Sequence, residues 1–298
     1  MRAALRGRRV RSRACLCVVV PALLLLLLLA ACGSASPAAP ASSPPTASPT
    51  APARLALSGQ WSWDDLHHRE PLVVHGVRAA VPDTLLLVLV ASDSGQGPAR
   101  GGPPLDGGVA RVTGGGLHWT CRAAAHLSVT GEPRVAEVWS AFTSVPLAPF
   151  TVTVHRSDKH GANTLCDNYQ GGSGPDIADG MLVVQAFTGV DPARPIGATA
   201  VAGSGPRSGG GRPAVALATT APGSLVEAVG SDWTAATHRR LPLGERLLHE
   251  DRSRPNDDDY WVQAFGLPVA TVRRVRLFLL APRGDDCNLA AVEIRPAP

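Results

Sequence analysis

The sequence predicts an all-β protein from Leu55 to Pro298, built as a two-sheet antiparallel sandwich of the jelly-roll or Greek-key type. Short apolar runs recur along this part of the chain, several alternate apolar and polar residues, and Gly, Pro, Asn and Asp separate them. No stretch shows the 3.6-residue apolar period of an amphipathic helix. Many short strands without helices bury their apolar faces by packing one sheet against another.

The predicted strands follow these apolar runs. They cover 72–77, 84–90, 117–121, 135–142, 150–155, 181–187, 214–219, 225–229, 259–265, 272–280 and 288–294. In the run at 150–155, Phe and Val residues alternate with Thr, as expected for a strand with one buried face. The glycine-rich stretches at 95–108, 171–180 and 202–212 are predicted loops. We expect a single domain over 55–298, with two smaller domains as the alternative.

Residues 1–31 are predicted to be a secretory signal. Six arginines and no acidic residue lie within the first thirteen positions, and an apolar run that includes seven consecutive leucines follows from Ala14 to Ala31. A run of about eighteen apolar residues is also near the lower limit for a membrane-spanning helix. An uncleaved membrane anchor and simple secretion are therefore the alternatives.

The end of this segment, Leu29-Ala30-Ala31-Cys32-Gly33, resembles the lipobox of bacterial lipoproteins. In that family, the cysteine thiol receives diacylglycerol and the peptide is cut just before it. The resemblance implies a lipid on Cys32 and an anchored position on the extracytoplasmic face of the cell membrane. Residues 32–54, rich in Ala, Pro, Ser and Thr, are predicted to form a semi-rigid spacer that reaches roughly 60 Å.

Loss of the signal changes the charge of the protein. The whole chain has 28 Lys and Arg against 24 Asp and Glu, and removing the six arginines of the signal leaves 22 against 24, a formal charge of −2. Proteins that bind nucleic acid do so through clustered Lys and Arg. Nucleic acid is therefore not an expected partner.

Several blocks in the domain resemble, in this order, a β-sandwich module of large secreted proteins from high-GC bacteria. They are Gly114–Trp119, Val135–Trp139, Val183–Gly189, Ile196–Ala200, Ser224–Trp233, Tyr260–Gln263 and Cys287–Ile294. The resemblance spans about Leu72 to Arg295 and implies a fold and a surface setting. It implies no catalytic residues, because none is established for that module.

Three cysteines remain after Cys32: Cys121, Cys166 and Cys287. An extracytoplasmic domain favours one disulfide, and three pairings are open. Cys121 lies in phase with apolar residues of a strand and is expected to be a small buried side chain. Cys166 and Cys287 both lie beside turn residues, so the predicted disulfide is Cys166–Cys287.

The tryptophans divide into two groups. Trp119, Trp139 and Trp261 lie within predicted strands and are expected in the core, whereas Trp61, Trp63 and Trp233 border turns. Asp232, Trp233 and Tyr260 form the candidate ligand site, since an exposed aromatic ring beside polar groups suits a sugar. Core packing or loop anchoring is the alternative for each ring.

Motifs for metals and catalysis are missing from the sequence. Acid clusters occur at 176–179, 257–259 and 285–286, but none matches a known calcium loop, and solvated turn acids are the default interpretation. No zinc spacing, H-E-x-x-H, G-x-S-x-G or Walker motif is present. We therefore expect no metal, no cofactor and no identifiable catalytic residue.

These features predict an anchored, non-catalytic binding module for a glycan, a cell-wall polymer or another protein. An enzyme that acts on polysaccharides with carboxylates from the acid clusters is one alternative. A purely structural envelope protein is another, and the sequence leaves the oligomeric state open.

Overall fold

A computed structural model describes residues 54–65, 71–93, 108–125, 134–156, 179–204, 213–234, 236–253, 257–281 and 286–298. Thr50–Pro298 form one compact unit. The described residues contain fifteen strands and no helix, and so none long and apolar enough to cross a membrane. The predicted signal, the lipidation site Cys32 and all but the last residue of the predicted spacer lie outside these ranges.

The strands follow one another in chain order. They are β1 (Ala56–Asp65), β2 (Leu72–Ala79), β3 (Thr84–Asp93), β4 (Val109–Thr113), β5 (Thr120–Ala125), β6 (Arg134–Thr143), β7 (Leu147–Arg156), β8 (Gly180–Thr188), β9 (Ile196–Ser204), β10 (Ala214–Ala218), β11 (Leu225–Asp232), β12 (Glu245–Ser253), β13 (Asp258–Phe265), β14 (Arg274–Phe278) and β15 (Cys287–Ile294).

Four antiparallel sheets stack in layers. The first outer sheet has the order β2-β7-β4, the first central sheet β1-β8-β3-β6-β5, the second central sheet β12-β13-β11-β15-β9, and the second outer sheet β10-β14. The all-β, antiparallel sandwich predicted from the sequence is confirmed, and it consists of four sheets rather than two.

Three apolar layers hold the stack together. Strand β3 shows why: its odd-numbered residues Leu85–Ala91 pack between the two central sheets, and its even-numbered residues pack against the first outer sheet. Every residue from Leu85 to Ala91 is 0% exposed. On the far side, Val226 and Ala228 of β11 pack against the second outer sheet. Both central sheets are therefore covered on both faces.

The chain contains the same topology twice. In the first repeat, β1-β8-β3-β6-β5 lies on β2-β7, and in the second, β9-β15-β11-β13-β12 lies on β10-β14. The pairing of the first strand with the last, and of the third with the sixth, is that of a jelly roll. Only β4 has no counterpart among the described strands of the second repeat.

Both repeats enter their third strand through the same turn. Asp83 and Gly223 have positive φ angles of 53° and 78°. The next residues, Thr84 and Ser224, each donate a hydroxyl hydrogen bond to the carbonyl oxygen three residues earlier, at 2.7 and 2.8 Å. This shared turn aligns Leu85 of β3 with Leu225 of β11, and their partners Phe187 and Ile294.

The register irregularities recur as well. Strand β1 has an extra residue between Leu57 and Gly59, and β9 has one at the equivalent point opposite β15. Strands β5 and β12 both shift register, between Cys121 and Ala123 and between Leu247 and His249. Because a bulge sets the register of a strand pair, the two repeats can be compared residue by residue.

The predicted strands correspond to eleven of the fifteen. The four missed strands, β1, β4, β9 and β12, all lie at the edge of a sheet. Edge strands bury less of their length, so β1 and β12 carry polar and exposed residues where a central strand would be apolar. The core positions predicted for Trp119, Trp139 and Trp261 are confirmed, with exposures of 5%, 1% and 0%.

The cysteines differ from the sequence-based expectation. Cys121 is half-buried and disulfide-bonded rather than a small apolar side chain. Cys287 is a fully buried thiol at the start of β15, within the apolar layer beneath the second outer sheet. The predicted Cys166–Cys287 disulfide is therefore wrong, because Cys287 keeps its thiol and packs in an apolar layer rather than beside a turn. Cys166 lies outside the described residues.

One buried carboxylate ties the second repeat together. Glu293 of β15 is 0% exposed. It accepts hydrogen bonds from the amides of Ala198 (2.8 Å), Thr220 (2.7 Å) and Ala221 (3.1 Å) and from the hydroxyls of Thr220 (2.9 Å) and Ser224 (2.7 Å). Burial opposes ionisation, but these donors outweigh it and hold the pKa of Glu293 below its ordinary value.

We expect Glu293→Gln to lower the free energy of unfolding by about 3 kcal/mol, because an amide nitrogen cannot accept the bonds that a carboxylate oxygen accepts. Urea unfolding of the full chain at pH 7 measures this loss. Since the pKa of Glu293 is lowered on folding, its contribution is present above the unfolded pKa and lost as the pH falls, so the difference between variant and wild type shrinks in acid. Asp83→Asn, at an exposed turn, is the control, and equal stability of Glu293→Gln and wild type would contradict the role.

Candidate functional site

The structure places the predicted ligand residues mainly in the interior. Asp232 and Tyr260 are 0% and 1% exposed, and Trp233 is half-buried. The Tyr260 ring belongs to the apolar layer between the central sheets. These residues therefore do not form the exposed stacking platform expected from the sequence, because the strands that carry them lie in a doubly covered sheet.

Asp232 takes part in a buried ion triad. Arg239 donates from Nη1 to Asp232 and from Nε to Asp259, both at 2.5 Å, and all three side chains are 0% exposed. The guanidinium also lies over the Trp261 ring, 4.7 Å from its centroid. Burial opposes the charge of Arg239, but the two carboxylates outweigh it and raise its pKa. The triad anchors Arg239, and with it the residues that lead into β12, to the second central sheet.

A different cluster lies where the edge strands of the two central sheets meet. His249 of β12 donates from Nε2 to Oδ1 of Asp64 on β1, at 2.7 Å. Their side chains are 18% and 35% exposed, so solvent reaches the pair. Asp251, two residues along β12, is 8% exposed, and its Oδ2 has no hydrogen-bond partner among the described residues. We call Asp64, His249 and Asp251 the edge cluster.

The surroundings of the edge cluster raise the pKa values of two of its members, Asp251 and His249. Burial, followed by repulsion from Asp64, raises the pKa of Asp251 to about 7. The hydrogen bond to Asp64 raises the pKa of His249, and burial opposes this shift. Near neutral pH, the Asp251 carboxyl can therefore give up a proton beside an imidazole whose protonation Asp64 favours.

Further polar groups line the buried side of the edge cluster. Ser253 donates its hydroxyl to Asp179, and the Tyr260 hydroxyl lies 3.4 Å from the Asp179 carbonyl oxygen and 3.3 Å from the Asp258 carboxylate. Arg156, 1% exposed, donates to the same carbonyl at 3.3 Å. Tyr260 thus lies between Asp179 and Asp258, which come from two of the acid clusters noted in the sequence.

Comparison of the repeats shows that the fold does not require this cluster. The registers align His249 with Ala123, Asp251 with Ala125, and Asp64 with Gly203. The two alanines are 5% and 3% exposed and pack in the apolar layer between the central sheets. The same positions are therefore apolar on one side of the domain and ionisable on the other.

Further polar residues lie next to the edge cluster, where the two central sheets face each other. Gln60 of β1 donates to the Leu248 carbonyl oxygen at 3.2 Å and accepts from Gln185 of β8 at 3.0 Å. Glu227 of β11, 3% exposed, hydrogen-bonds Gln185, and burial raises its pKa to about 8. The register aligns Glu227 with Leu87. A carboxyl thus replaces a core leucine here.

The opposite side of β1 presents aromatic rings. Trp63 is 38% exposed, and Trp61 is half-buried against the apolar layer beneath the first outer sheet. The Trp61 ring lies over Gly59, where a Cβ atom would come within 2.5 Å of the indole. The registers align Trp61 with Ala200 and Trp63 with Ala202 of β9. We call Trp61 and Trp63 the tryptophan strip.

Trp61 and Trp63, predicted from the sequence to border turns, lie within the edge strand β1. Asp64, His249 and Asp251 have no sequence motif that marks them as a site, since β12 lacks an apolar period. Within the described ranges, no group of three or more His, Cys, Asp and Glu side chains is arranged to hold a metal ion.

Comparison with known proteins identifies no relative. No family profile, curated protein or solved structure matches the chain. The two repeats of this chain can, however, be compared with each other, position by position.

We expect Glu227 to make the domain less stable as the pH rises. Its folded pKa of about 8 lies above its ordinary value of 4.5, so the folded state binds the extra proton between these values and stability falls as the pH rises through them. Between pH 5 and pH 8, the free energy of unfolding of Glu227→Gln should therefore fall by roughly 4 kcal/mol less than that of the wild type. The measurement is urea unfolding of the full chain at several pH values.

Asp257→Asn, which changes an exposed acid in a turn, is the matched control and should keep the wild-type slope. Parallel stability curves for Glu227→Gln and wild type would show that Glu227 does not carry its proton into the folded state.

Proposed function

We propose that the domain is a non-catalytic module that binds a glycan through the tryptophan strip. The observation that carries this proposal is the exposure of Trp63 and the half-burial of Trp61 at positions where the equivalent strand β9 has alanines. Since β9 forms the same edge with Ala200 and Ala202, the fold does not need these rings. A large ring that is exposed and structurally dispensable fits a binding role.

The spacing of the strip suits a sugar chain. Residues two apart on a strand face the same side and lie about 7 Å apart. Indole faces present flat apolar surfaces, while the indole N–H offers a donor at the rim. Because Gly59 has no side chain, the Trp61 ring can lie flat along the strand. Two rings in a row therefore offer a stacking surface that runs along the edge of the sheet.

The edge cluster supplies polar groups on the other side of the same strand. Asp64 directly follows Trp63 and is 35% exposed at its side chain. Carboxylate and imidazole groups form strong hydrogen bonds with hydroxyl groups. A ligand that lies across β1, the edge strand of the first central sheet, would meet the stacking surface and the hydrogen-bonding groups together.

The proposed setting is the cell surface. A lipid on Cys32 would hold the protein on the extracytoplasmic face of the membrane, and residues 32–54 would serve as the spacer. The support for this setting is the lipobox-like sequence and the composition of the segment. A glycan or cell-wall polymer within about 60 Å of the membrane would then be in reach.

A second candidate is acid–base chemistry on a polysaccharide by the edge cluster. The observation that favours it is the Asp251 carboxyl, with a pKa of about 7, beside the Asp64–His249 pair. Glycoside hydrolysis uses two carboxyl groups, one of which donates a proton to the leaving group. In this reading, Asp251 would donate the proton and Asp64 would act as the carboxylate.

The binding proposal predicts that Trp63→Ala weakens glycan binding by about tenfold, because a stacked ring contributes roughly 1 to 1.5 kcal/mol. A glycan array with the full chain identifies the ligand, and calorimetry then measures its affinity for each variant. Trp63→Phe should keep most of the affinity.

Leu267→Ala, at an exposed apolar residue far along the chain from the strip, is the control and should bind as wild type. No binding to any glycan above a denatured control, or equal binding by Trp63→Ala and wild type, would count against the tryptophan strip.

The second candidate predicts that the wild-type chain releases reducing sugar from a polysaccharide and that Asp251→Asn slows this by at least about 100-fold. Because the acid must be protonated, the activity should fall as the pH rises above about 7. Asp83→Asn is the control for the loss of a carboxyl elsewhere. A wild-type chain without turnover on any polysaccharide tested would exclude the edge cluster as a hydrolase.

A further inference from the structure

An open groove lies on the second repeat, where β9 meets the second outer sheet. Its volume is about 720 Å³. Small apolar residues of β9 and β10 and two arginines of β14 line it, namely Val201, Ala202, Ala214, Val215, Ala216, Arg274 and Arg276. Val201 is 49% exposed, so the groove is open to solvent along β9.

The groove is the counterpart of the tryptophan strip. The registers align Ala202 with Trp63 and Ala200 with Trp61. Of these two alanines, Ala202 lines the groove, so the groove lies beside the position that corresponds to Trp63. Strands β9 and β1 are both edge strands, and each packs near the first strand of the neighbouring outer sheet, β10 or β2. The same position on the fold therefore offers an aromatic surface in one repeat and a hollow with an alanine floor in the other.

The charge at the two positions also differs. Arg274 and Arg276 are exposed and flank the inward-facing Val275 of β14. On the matching strand β7, the residues that flank the inward-facing Val152 are Thr151 and Thr153. The second repeat thus has two cations where the first has neutral hydroxyls.

These two guanidinium groups are available for a ligand. Among the described residues, Arg274 has no hydrogen bond, ion pair or ring contact. Arg276 lies over the Phe278 ring, 5.2 Å from its centroid, and a more distant attraction connects it with Glu245. Their Cα atoms lie two residues apart on a strand, a separation of about 7 Å. Guanidinium groups bind carboxylates and phosphates with two parallel hydrogen bonds.

We propose that this groove binds a linear polymer that carries a row of anionic groups, either carboxylate or phosphate. The alanine floor lets the backbone of the polymer approach the sheet, and Arg274 and Arg276 hold successive anionic groups above it. The inference goes beyond the proposed glycan binding, because it concerns a second site with a different ligand chemistry. It does not depend on the tryptophan strip.

The test measures binding of three oligomers of equal length to the full chain by calorimetry at low salt. One oligomer is a uronic acid saccharide, one a glycerol phosphate chain, and one a neutral glucan. We expect at least one anionic oligomer to bind, and the Arg274→Gln/Arg276→Gln double variant to bind it about tenfold or more weakly. Higher salt should weaken binding to the wild type.

Two further variants test whether binding depends on the groove itself or only on exposed positive charge. Arg78→Gln removes an exposed arginine from the first outer sheet and should bind as wild type. Ala202→Trp keeps both arginines but places a ring in the groove, as Trp63 does in the first repeat, and should reduce binding to the level of the double variant. Unfolding curves establish that each variant is folded.

The outcomes are distinct. Binding of the uronic acid oligomer alone identifies carboxylate as the ligand group, binding of the glycerol phosphate oligomer alone identifies phosphate, and binding of both supports the groove for either. Equal binding of the neutral glucan, no binding of either anionic oligomer, or unchanged affinity in both the double variant and Ala202→Trp would overturn the proposal. Trp63→Ala should leave this binding unchanged, so failure of the tryptophan strip and failure of the groove are separable.

Discussion

The packing of the two central sheets against each other is the contact on which the rest of the structure depends. Each repeat is a jelly roll whose inner sheet is covered by its own outer sheet on one face and by the other repeat on the second face. A strand buried on both faces has to be apolar at nearly every position, as Leu85–Ala91 is. Polar and chemically active residues are then restricted mainly to the sheet edges and to the ends of the strands.

The repeated topology separates what the fold requires from what it only tolerates. The same edge is formed by Trp61 and Trp63 in β1 and by alanines in β9, and the same bulged strand carries Ala123 and Ala125 in β5 and ionisable residues in β12. Both versions pack into the same register. The aromatic and ionisable residues at these positions are therefore features of one repeat rather than of the fold.

Some differences between the repeats are exchanges of equivalent contacts. Trp139 donates its indole N–H to Glu137, and Trp261 donates its own to Gln263, both at 2.7 Å. The registers align Trp139 with Gln263, and Glu137 with Trp261, so the ring and its acceptor have changed places. Gly230 beneath Trp261 makes this possible, because any side chain there would collide with the ring.

Much of the fold could be predicted from the sequence, because the apolar pattern of a strand depends only on residues that are close together in the chain. Leu85–Ala91, Val152, Val154, Trp139 and Trp261 lie in strands whose apolar patterns are visible without a partner. The site could not be predicted in the same way. His249 and Asp64 are 185 residues apart in the chain, and only the approach of two sheet edges brings them together. Asp232 and Tyr260 looked like surface residues because their burial depends on strands far along the chain.

By itself, the sequence determined the strand-rich class, the apolar positions of the central strands and the composition of the segment that precedes them. These properties follow from short-range periodicity and composition. Only the tertiary structure decided the number of sheets, the duplication, the burial of the Asp232–Arg239–Asp259 triad and the contrast between Trp63 and Ala202. Each of these depends on pairing between distant strands, and a polar residue at a strand end has the same local pattern whether its sheet is covered or open.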